Sequence, residues 1–117
     1  MKGKIIHKGL ADGRWYELTL LEQLGNIGSE VGRASQAQDK DSDRFWSAVW
    51  RAIELFDLTL GDTRWKGHLK EIGRAKEVFC DAVYGGREYG SSLAELEQYF
   101  NYFAIAAMKN KFTQIKK

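Results

Sequence analysis

The sequence predicts an all-α protein, an up-down-up-down four-helix bundle, and three observations lead to this prediction. First, the 117 residues include no proline, the residue that most strongly breaks helices. Second, four segments repeat apolar residues at intervals of three and four, which is the period of a helix with one buried face. Third, the links between these segments are short, which favours antiparallel neighbours. A chain of this length forms a single domain, over 1–117, around one core.

The first helix is predicted from Thr19 to Ala37. Thr19 and Glu22 stand at the spacing of a capping box, in which each side chain accepts a hydrogen bond from the backbone N–H of the other residue. The preceding segment, 1–18, has no clear period, and we expect Trp15 to anchor it to the core. The apolar stripe of the helix consists of Leu20, Leu24, Ile27, Val31 and Ala34.

Three glycines, Gly25, Gly28 and Gly32, interrupt this helix on one flank. Each glycine inside a helix costs roughly 1 kcal/mol relative to alanine, so the three together cost about 3 kcal/mol that other contacts must offset. A flank without side chains lets another backbone approach closely. Either a helix of the same chain packs there, or a helix from another subunit does. No lysine or preceding strand accompanies the glycines, which argues against a phosphate-binding loop.

The second helix is predicted from Ser42 to Leu60, with Asp41 or Ser42 as its N-cap. It is apolar on more than one side, which is typical of a helix that is central or covered by a second surface. The residues that we expect to face the core are Phe45, Val49, Ile53, Phe56 and Leu60.

The third helix is predicted from Arg64 to Tyr84, where two glycines end it. The fourth begins at a second capping box, over 92–95, and runs to about Lys111. We expect residues 112–117 to form a frayed tail. The residues of these two helices that are predicted to face inward are Trp65, Leu69, Ile72, Phe79, Val83, Leu96, Phe100, Phe103 and Ala107.

The large apolar residues exceed what one small bundle can bury. Trp46 and Trp50 flank the core face of the second helix, and further apolar residues lie on the outer side of the fourth. Surplus of this kind is typical of an oligomer interface. We therefore predict a homo-oligomer whose interface contains Gly25, Gly28, Gly32, Trp46 and Trp50. Asp57 falls between the tryptophans and needs a partner, which is either Lys76 or an arginine of a neighbouring subunit.

Basic residues are concentrated at the two ends of the chain. The net charge is +2, yet segments 1–14 and 109–117 carry eight bases against one acid, while 15–108 carries 10 bases against 15 acids. An up-down-up-down bundle brings both ends to one pole, where they would attract RNA or DNA phosphates; lysine-rich ends that merely keep the termini soluble are the other interpretation. The residues predicted to bind are Lys2, Lys4, Lys8, Arg14, Lys109, Lys111, Lys116 and Lys117.

Composition excludes several classes of protein. Cys80 is the single cysteine, so neither an intrachain disulfide nor a multi-cysteine zinc site can form. Neither of the two histidines follows a glutamate by three residues, so the di-iron pattern of helical bundles is absent. No catalytic residue, metal or cofactor is predicted. No apolar run approaches the roughly 18 residues of a membrane span or the shorter run of a signal peptide, which predicts a cytoplasmic protein without a membrane partner.

Two alternatives to a nucleic-acid-binding protein remain. The segment Ser29-Glu30-Val31-Gly32-Arg33, followed by Glu54-x-x-Asp57, resembles the paired acidic motifs of the MazG-type nucleotide pyrophosphohydrolases. That resemblance implies a degenerate Mg²⁺-dependent hydrolase using Glu30, Glu54 and Asp57, although two expected glutamate positions hold Ser29 and Arg33. The other alternative is a scaffold that binds a protein partner through the glycines and the tryptophans.

Most of the chain resembles a group of small bacterial four-helix-bundle proteins of uncharacterised activity. The residues that carry this resemblance are Gly13-Arg14-Trp15, LTLLEQLGNIGSEVGRA (18–34), RAIELFDLT (51–59), LKEIGRAKEVFCD (69–81) and YGSS (89–92). In architecture and size the chain is also similar to the proteins encoded in ribosomal-RNA intervening sequences and to the accessory proteins of diversity-generating retroelements. The last resemblance implies a basic, ring-forming bundle that binds RNA and a reverse transcriptase.

Overall fold

A computed structural model describes the backbone of residues 13–116 and the side chains of residues 13–109. Over these residues the chain is all-helical, with four α-helices and no strand, as the sequence predicts, and the arrangement is consistent with a four-helix bundle. Short 3₁₀ segments over Arg14–Glu17 and Thr63–His68 precede the first and third helices. The four α-helices are α1 (Leu20–Ala37), α2 (Ser42–Leu60), α3 (Leu69–Val83) and α4 (Leu93–Lys116).

Local capping signals begin three of the helices where the sequence predicts. At α1, the backbone N–H of Glu22 donates to Thr19 Oγ1 (3.1 Å) and that of Thr19 donates to Glu22 Oε1 (2.8 Å), which confirms the first capping box. The same two bonds, at 3.1 and 2.9 Å, join Ser92 and Glu95 at α4. At α2, Asp41 is the cap, since its side chain accepts from the backbone N–H of the third residue of the helix at 3.1 Å.

The third helix starts later than predicted, and the prediction that it begins at Arg64 is wrong. Residues 63–68 form a 3₁₀ segment, inside which Trp65 leaves helical geometry (φ −104°, ψ 27°). The Trp65 indole Nε1 donates to Gln23 Oε1 of α1 at 2.9 Å, so a contact with a distant helix holds the backbone out of the α conformation. Leu69, predicted to face the core, is exposed because it is now the first residue of α3. At the other end of the chain, helical backbone continues to Lys116, past the predicted end near Lys111.

The core is formed by aromatic and aliphatic side chains from all four helices and from the first 3₁₀ segment. Phe56 of α2 lies at its centre, fully buried, with its ring centroid 5.8 Å from that of Phe79 and 5.9 Å from that of Phe100. Ile27 and Val31 of α1 are also fully buried. Burial of such side chains contributes about 1.5–3 kcal/mol each. No helix in the described part of the chain is long and apolar enough to cross a membrane.

The glycine flank of α1 packs against α4 of the same chain. A Cβ atom added at Gly28 would lie only 2.5 Å from Phe100 Cβ, and one added at Gly25 would lie 3.0 Å from Ala104 Cα. One added at Gly32 would meet the carboxylate of Glu97 at 2.6 Å. From Gly25 to Gly32 the residue numbers rise along α1, whereas those of the facing α4 residues fall from Ala104 to Glu97, so the two helices are antiparallel. Of the two interpretations of the glycines, the structure therefore shows the intramolecular one.

Candidate nucleic-acid interface

Trp15 fixes the first 3₁₀ segment to one end of the bundle. Its indole is fully buried and donates from Nε1 to Thr59 Oγ1, near the end of α2, at 3.0 Å. Its backbone carbonyl accepts a hydrogen bond from Gln23 Nε2 of α1 at 2.9 Å. These two bonds place the neighbouring Arg14, which is exposed, at the end of the molecule where α1 begins and α2 ends.

Gln23 is the buried polar centre of this end. Its amide is fully buried and, besides Trp15, it donates to Asp62 Oδ2 at 3.1 Å and accepts from Trp65 Nε1 at 2.9 Å. An unpaired buried amide would cost about 1–3 kcal/mol. Within residues 13–109, no buried side-chain nitrogen or oxygen lacks a partner. The amide therefore ties the segment before α1 to the link between α2 and α3.

Asp62 and Arg64 form a forked ion pair beside this amide. Arg64 Nε donates to Asp62 Oδ1 at 3.0 Å and Arg64 Nη2 donates to Oδ2 at 2.6 Å. The Arg64 side-chain bonds lower the pKa of Asp62 to about 2; burial opposes this shift, and hydrogen bonds from the Arg64 backbone N–H and from Gln23 support it. The same pair raises the pKa of Arg64. Asp62, the buried acid among the described residues of this end, is thus ionised and already neutralised.

The starts of α1 and α3 lie beside the later part of α4. Leu20, His68 and Phe103 line a common cavity of about 230 Å³. Because α4 runs antiparallel to α1, the residues that follow Ala104 extend toward and past the start of α1. We call this end of the molecule the basic pole, because its described cations, Arg14, Arg64, Lys66, Lys70 and Lys109, outnumber the acids Glu17, Glu22, Asp62 and Glu71 of the same segments.

The basic pole contains part of the predicted binding set. Arg14 and Lys109 are exposed there, as a binding role requires. Lys111 and Lys116 lie on the helical backbone of α4, and their side chains are outside the described part. Residues 1–12 and 117 lie outside the described residues, and with them the predicted sites Lys2, Lys4, Lys8 and Lys117.

Sequence reasoning missed the cations of the second 3₁₀ segment. Arg64, Lys66 and Lys70 were counted within the acidic body of the chain, although they belong to a stretch, TRWKGHLK (63–70), that has no acid. That acid-free stretch is the signal that could have found them. Lys66 and Lys70 are exposed, whereas Trp65 within the same stretch is half-buried.

The residues predicted to form an oligomer interface fall into two groups. Gly25, Gly28 and Gly32 are covered by α4, as described above. Trp46 and Trp50 lie on the surface of α2. Of the predicted interface residues, the tryptophans and not the glycines are therefore accessible on the surface.

The acids of the hydrolase alternative do not come together. Glu30 is buried and accepts from Arg33 Nη1 at 2.9 Å and from Arg51 Nε at 3.1 Å. Asp57 binds Lys76 Nζ at 2.6 Å, the first of the two partners predicted for it. The described side chains include no group of three or more His, Cys, Asp or Glu that could hold a metal ion. Cations already occupy two of the three proposed Mg²⁺ ligands, Glu30 and Asp57.

The chain matches no protein-family model, no curated protein and no solved structure.

Proposed function

We propose that this chain is a non-enzymatic binding protein that contacts the phosphates of RNA or DNA through the basic pole. The observation that carries the proposal is the gathering of exposed cations from three distant stretches of sequence, represented by Arg14, Lys66 and Lys109. The buried acid at the same end, Asp62, is neutralised by Arg64. Cations of this kind attract a polyanion and release its counterions on binding.

We also propose the up-down-up-down topology, which brings both chain ends to this pole. The antiparallel packing of α1 and α4 supports it. By sequence the two ends carry six further cations against the single acid Asp12, and in the proposed topology these cations would add to the charge available for phosphate binding. These further cations are Lys2, Lys4, Lys8, Lys111, Lys116 and Lys117.

Binding of this kind would read the phosphate backbone and not the bases. The two tryptophans of the pole, Trp15 and Trp65, are held by hydrogen bonds inside the bundle, to Thr59 and Gln23 respectively. They are not free to stack on unpaired bases, which is how sequence-tolerant single-strand binders gain about 1–3 kcal/mol per base. The resemblance to the accessory proteins of diversity-generating retroelements, which implies RNA binding, stays a prediction.

The experiment is a fluorescence-anisotropy titration of labelled RNA and DNA oligonucleotides at 50 and 200 mM KCl. We expect binding at the lower salt concentration that weakens steeply at the higher one. The double variant Lys66→Gln/Lys109→Gln should weaken binding and reduce the slope of log K against log salt by about 1 for each lost contact. A chain shortened after Met108 should weaken binding further.

The matched control removes the same charge away from the pole. Lys40 and Arg87 are exposed in the α1–α2 and α3–α4 links, and the double variant Lys40→Gln/Arg87→Gln should bind as the unchanged chain does. The proposal fails if the chain does not bind at 50 mM KCl. It also fails if the control variant loses as much affinity as the Lys66→Gln/Lys109→Gln variant, or if removing 109–117 has no effect.

A further inference from the structure

Two neighbouring helices carry stripes with a spacing close to that of a helix-pairing seam, and these stripes combine exposed residues with half-buried ones, Ile53, Leu60 and Cys80, that also pack against the core. The α2 stripe advances by alternating steps of four and three residues, which is the heptad spacing that keeps one face turned toward a partner helix. The α3 stripe follows this spacing as far as Cys80 and ends with a second step of four residues, to Tyr84. Both stripes are mainly apolar or aromatic. On α2 the stripe consists of Trp46, Trp50, Ile53, Asp57 and Leu60. On α3 it consists of Leu69, Gly73, Lys76, Cys80 and Tyr84, the last at the C-cap.

The stripes lie side by side on one surface, which we call the α2–α3 face. At one end the rings of Trp46 and Tyr84 approach to 6.1 Å between centroids. Farther along, Lys76 Nζ lies 2.6 Å from Asp57 Oδ1. The two contacts show that the stripes run in opposite directions. The face therefore extends along both helices and is not confined to one turn.

Large aromatic side chains are left uncovered on this face. Trp46 is 37% exposed, Trp50 53% and Tyr84 74%. Since aromatic side chains have about 150–250 Å² each, the three rings expose about 250–400 Å². A stable protein interface buries about 800 Å² on each partner, so these three residues alone would supply a third to a half of one. Apolar patches of this size on a monomer are often interaction sites.

The charge of the face indicates what kind of partner fits it. Its charged residues, Asp57 and Lys76, neutralise each other, so the face does not select a partner of opposite charge. A two-fold dimer brings the same surface of two copies together, and a face without net charge allows this contact without repulsion between like charges. At Gly73 an added Cβ would meet nothing within 4 Å, so the chain itself leaves room there for a close approach.

We infer that the α2–α3 face binds the same face of a second copy, giving a two-fold dimer in which the two α2–α3 pairs pack together. This inference goes beyond the proposed function and does not depend on it, because the cations of the basic pole lie outside the two stripes. The interface of this dimer would include Trp46 and Trp50, as expected from the sequence, but not the glycines of α1.

The test measures mass in solution for the full chain between 5 and 200 μM by light scattering and sedimentation equilibrium. We expect a species of twice the 13.4 kDa of one chain. Trp50→Arg places a charge on the face, and since Trp50 is half-exposed the fold should persist, as circular dichroism would check. This variant should shift the dimer dissociation constant upward by at least tenfold.

The matched control is Tyr102→Arg, which places the same charge on an exposed aromatic position of α4 away from the face. It should dimerise as the unchanged chain does. A chain that stays at the mass of one copy at 200 μM overturns the inference, and so does an assembly larger than two copies. A dimer that Tyr102→Arg disrupts and folded Trp50→Arg does not would also overturn it. Nucleic-acid binding is scored separately, so its failure leaves this result intact.

Discussion

Replacing Gly28 with alanine tests the packing of α1 against α4 most directly. The added Cβ would lie 2.5 Å from Phe100 Cβ, whereas ordinary contacts are above about 3.4 Å, so α4 must move by about 1 Å. Overpacking of this kind costs about 1–3 kcal/mol, and alanine returns about 1 kcal/mol through its higher helix propensity. We expect Gly28→Ala to lower the free energy of unfolding by up to about 2 kcal/mol, with a drop in Tm of roughly 4 °C per kcal/mol.

Gly32→Ala is the matched control, because it lies on the same flank of the same helix and gains the same propensity. The atom that its Cβ would meet, Glu97 Oε2 at 2.6 Å, is the end of a flexible side chain that can swing aside. Its unfolding free energy should stay within about 0.5 kcal/mol of the unchanged chain or rise. Urea unfolding followed by circular dichroism measures both variants. If Gly28→Ala is as stable as Gly32→Ala, the contact between position 28 and Phe100 does not lower the free energy of unfolding, which contradicts this prediction.

Two further predictions concern the polar network of the basic pole and the helix caps. Because the pKa of Asp62 is held at about 2 against 3.8 for the free side chain, stability that is complete above about pH 4 should fall as the pH drops toward 2. Because Arg64 is partly exposed, we expect the free energy of unfolding to fall by about 1–2 kcal/mol over this range, as measured by urea unfolding. The variant Asp62→Asn should lack this fall. A pH profile that is unchanged in the variant would contradict the assignment to Asp62. Thr19→Ala removes the N-cap of α1 and should lower the free energy of unfolding by about 1 kcal/mol. Ser29→Ala, inside α1, is the control and should leave it unchanged. Equal losses in the two variants would show that the loss does not come from the cap.

Features that depend on local sequence were predicted, and features that depend on distant contacts were not. The capping boxes at Thr19 and Ser92 involve residues three apart, so their spacing alone identifies them. The start of α3 was misplaced because Trp65 fits a helical stripe by spacing. Its indole is instead bonded to Gln23, a residue of α1 that no local pattern connects with it.

For the candidate site, too, the residues at the chain ends were predicted from the sequence, and those that the fold brings beside them were not. Counting charges at the chain ends selected Arg14 and Lys109 as candidates, while their placement at one pole depended on the predicted topology. Lys66 and Lys70 lie within the segment 15–108, which is acidic on average, although their own stretch, 63–70, has no acid. Only the folded arrangement, in which the second 3₁₀ segment lies beside the start of α1, brings them to the same end.

The glycines of α1 and the basic pole are connected through the position of α4. Gly25 lies opposite Ala104, so the register between the two helices is set at that point. At about 1.5 Å per residue, α4 continues about 18 Å from Ala104 to Lys116, whereas α1 extends only about 8 Å from Gly25 back to Leu20. The end of α4 therefore projects about 10 Å past the start of α1. Close packing at three small residues thus sets how far the lysine-rich end of α4 extends past the start of α1.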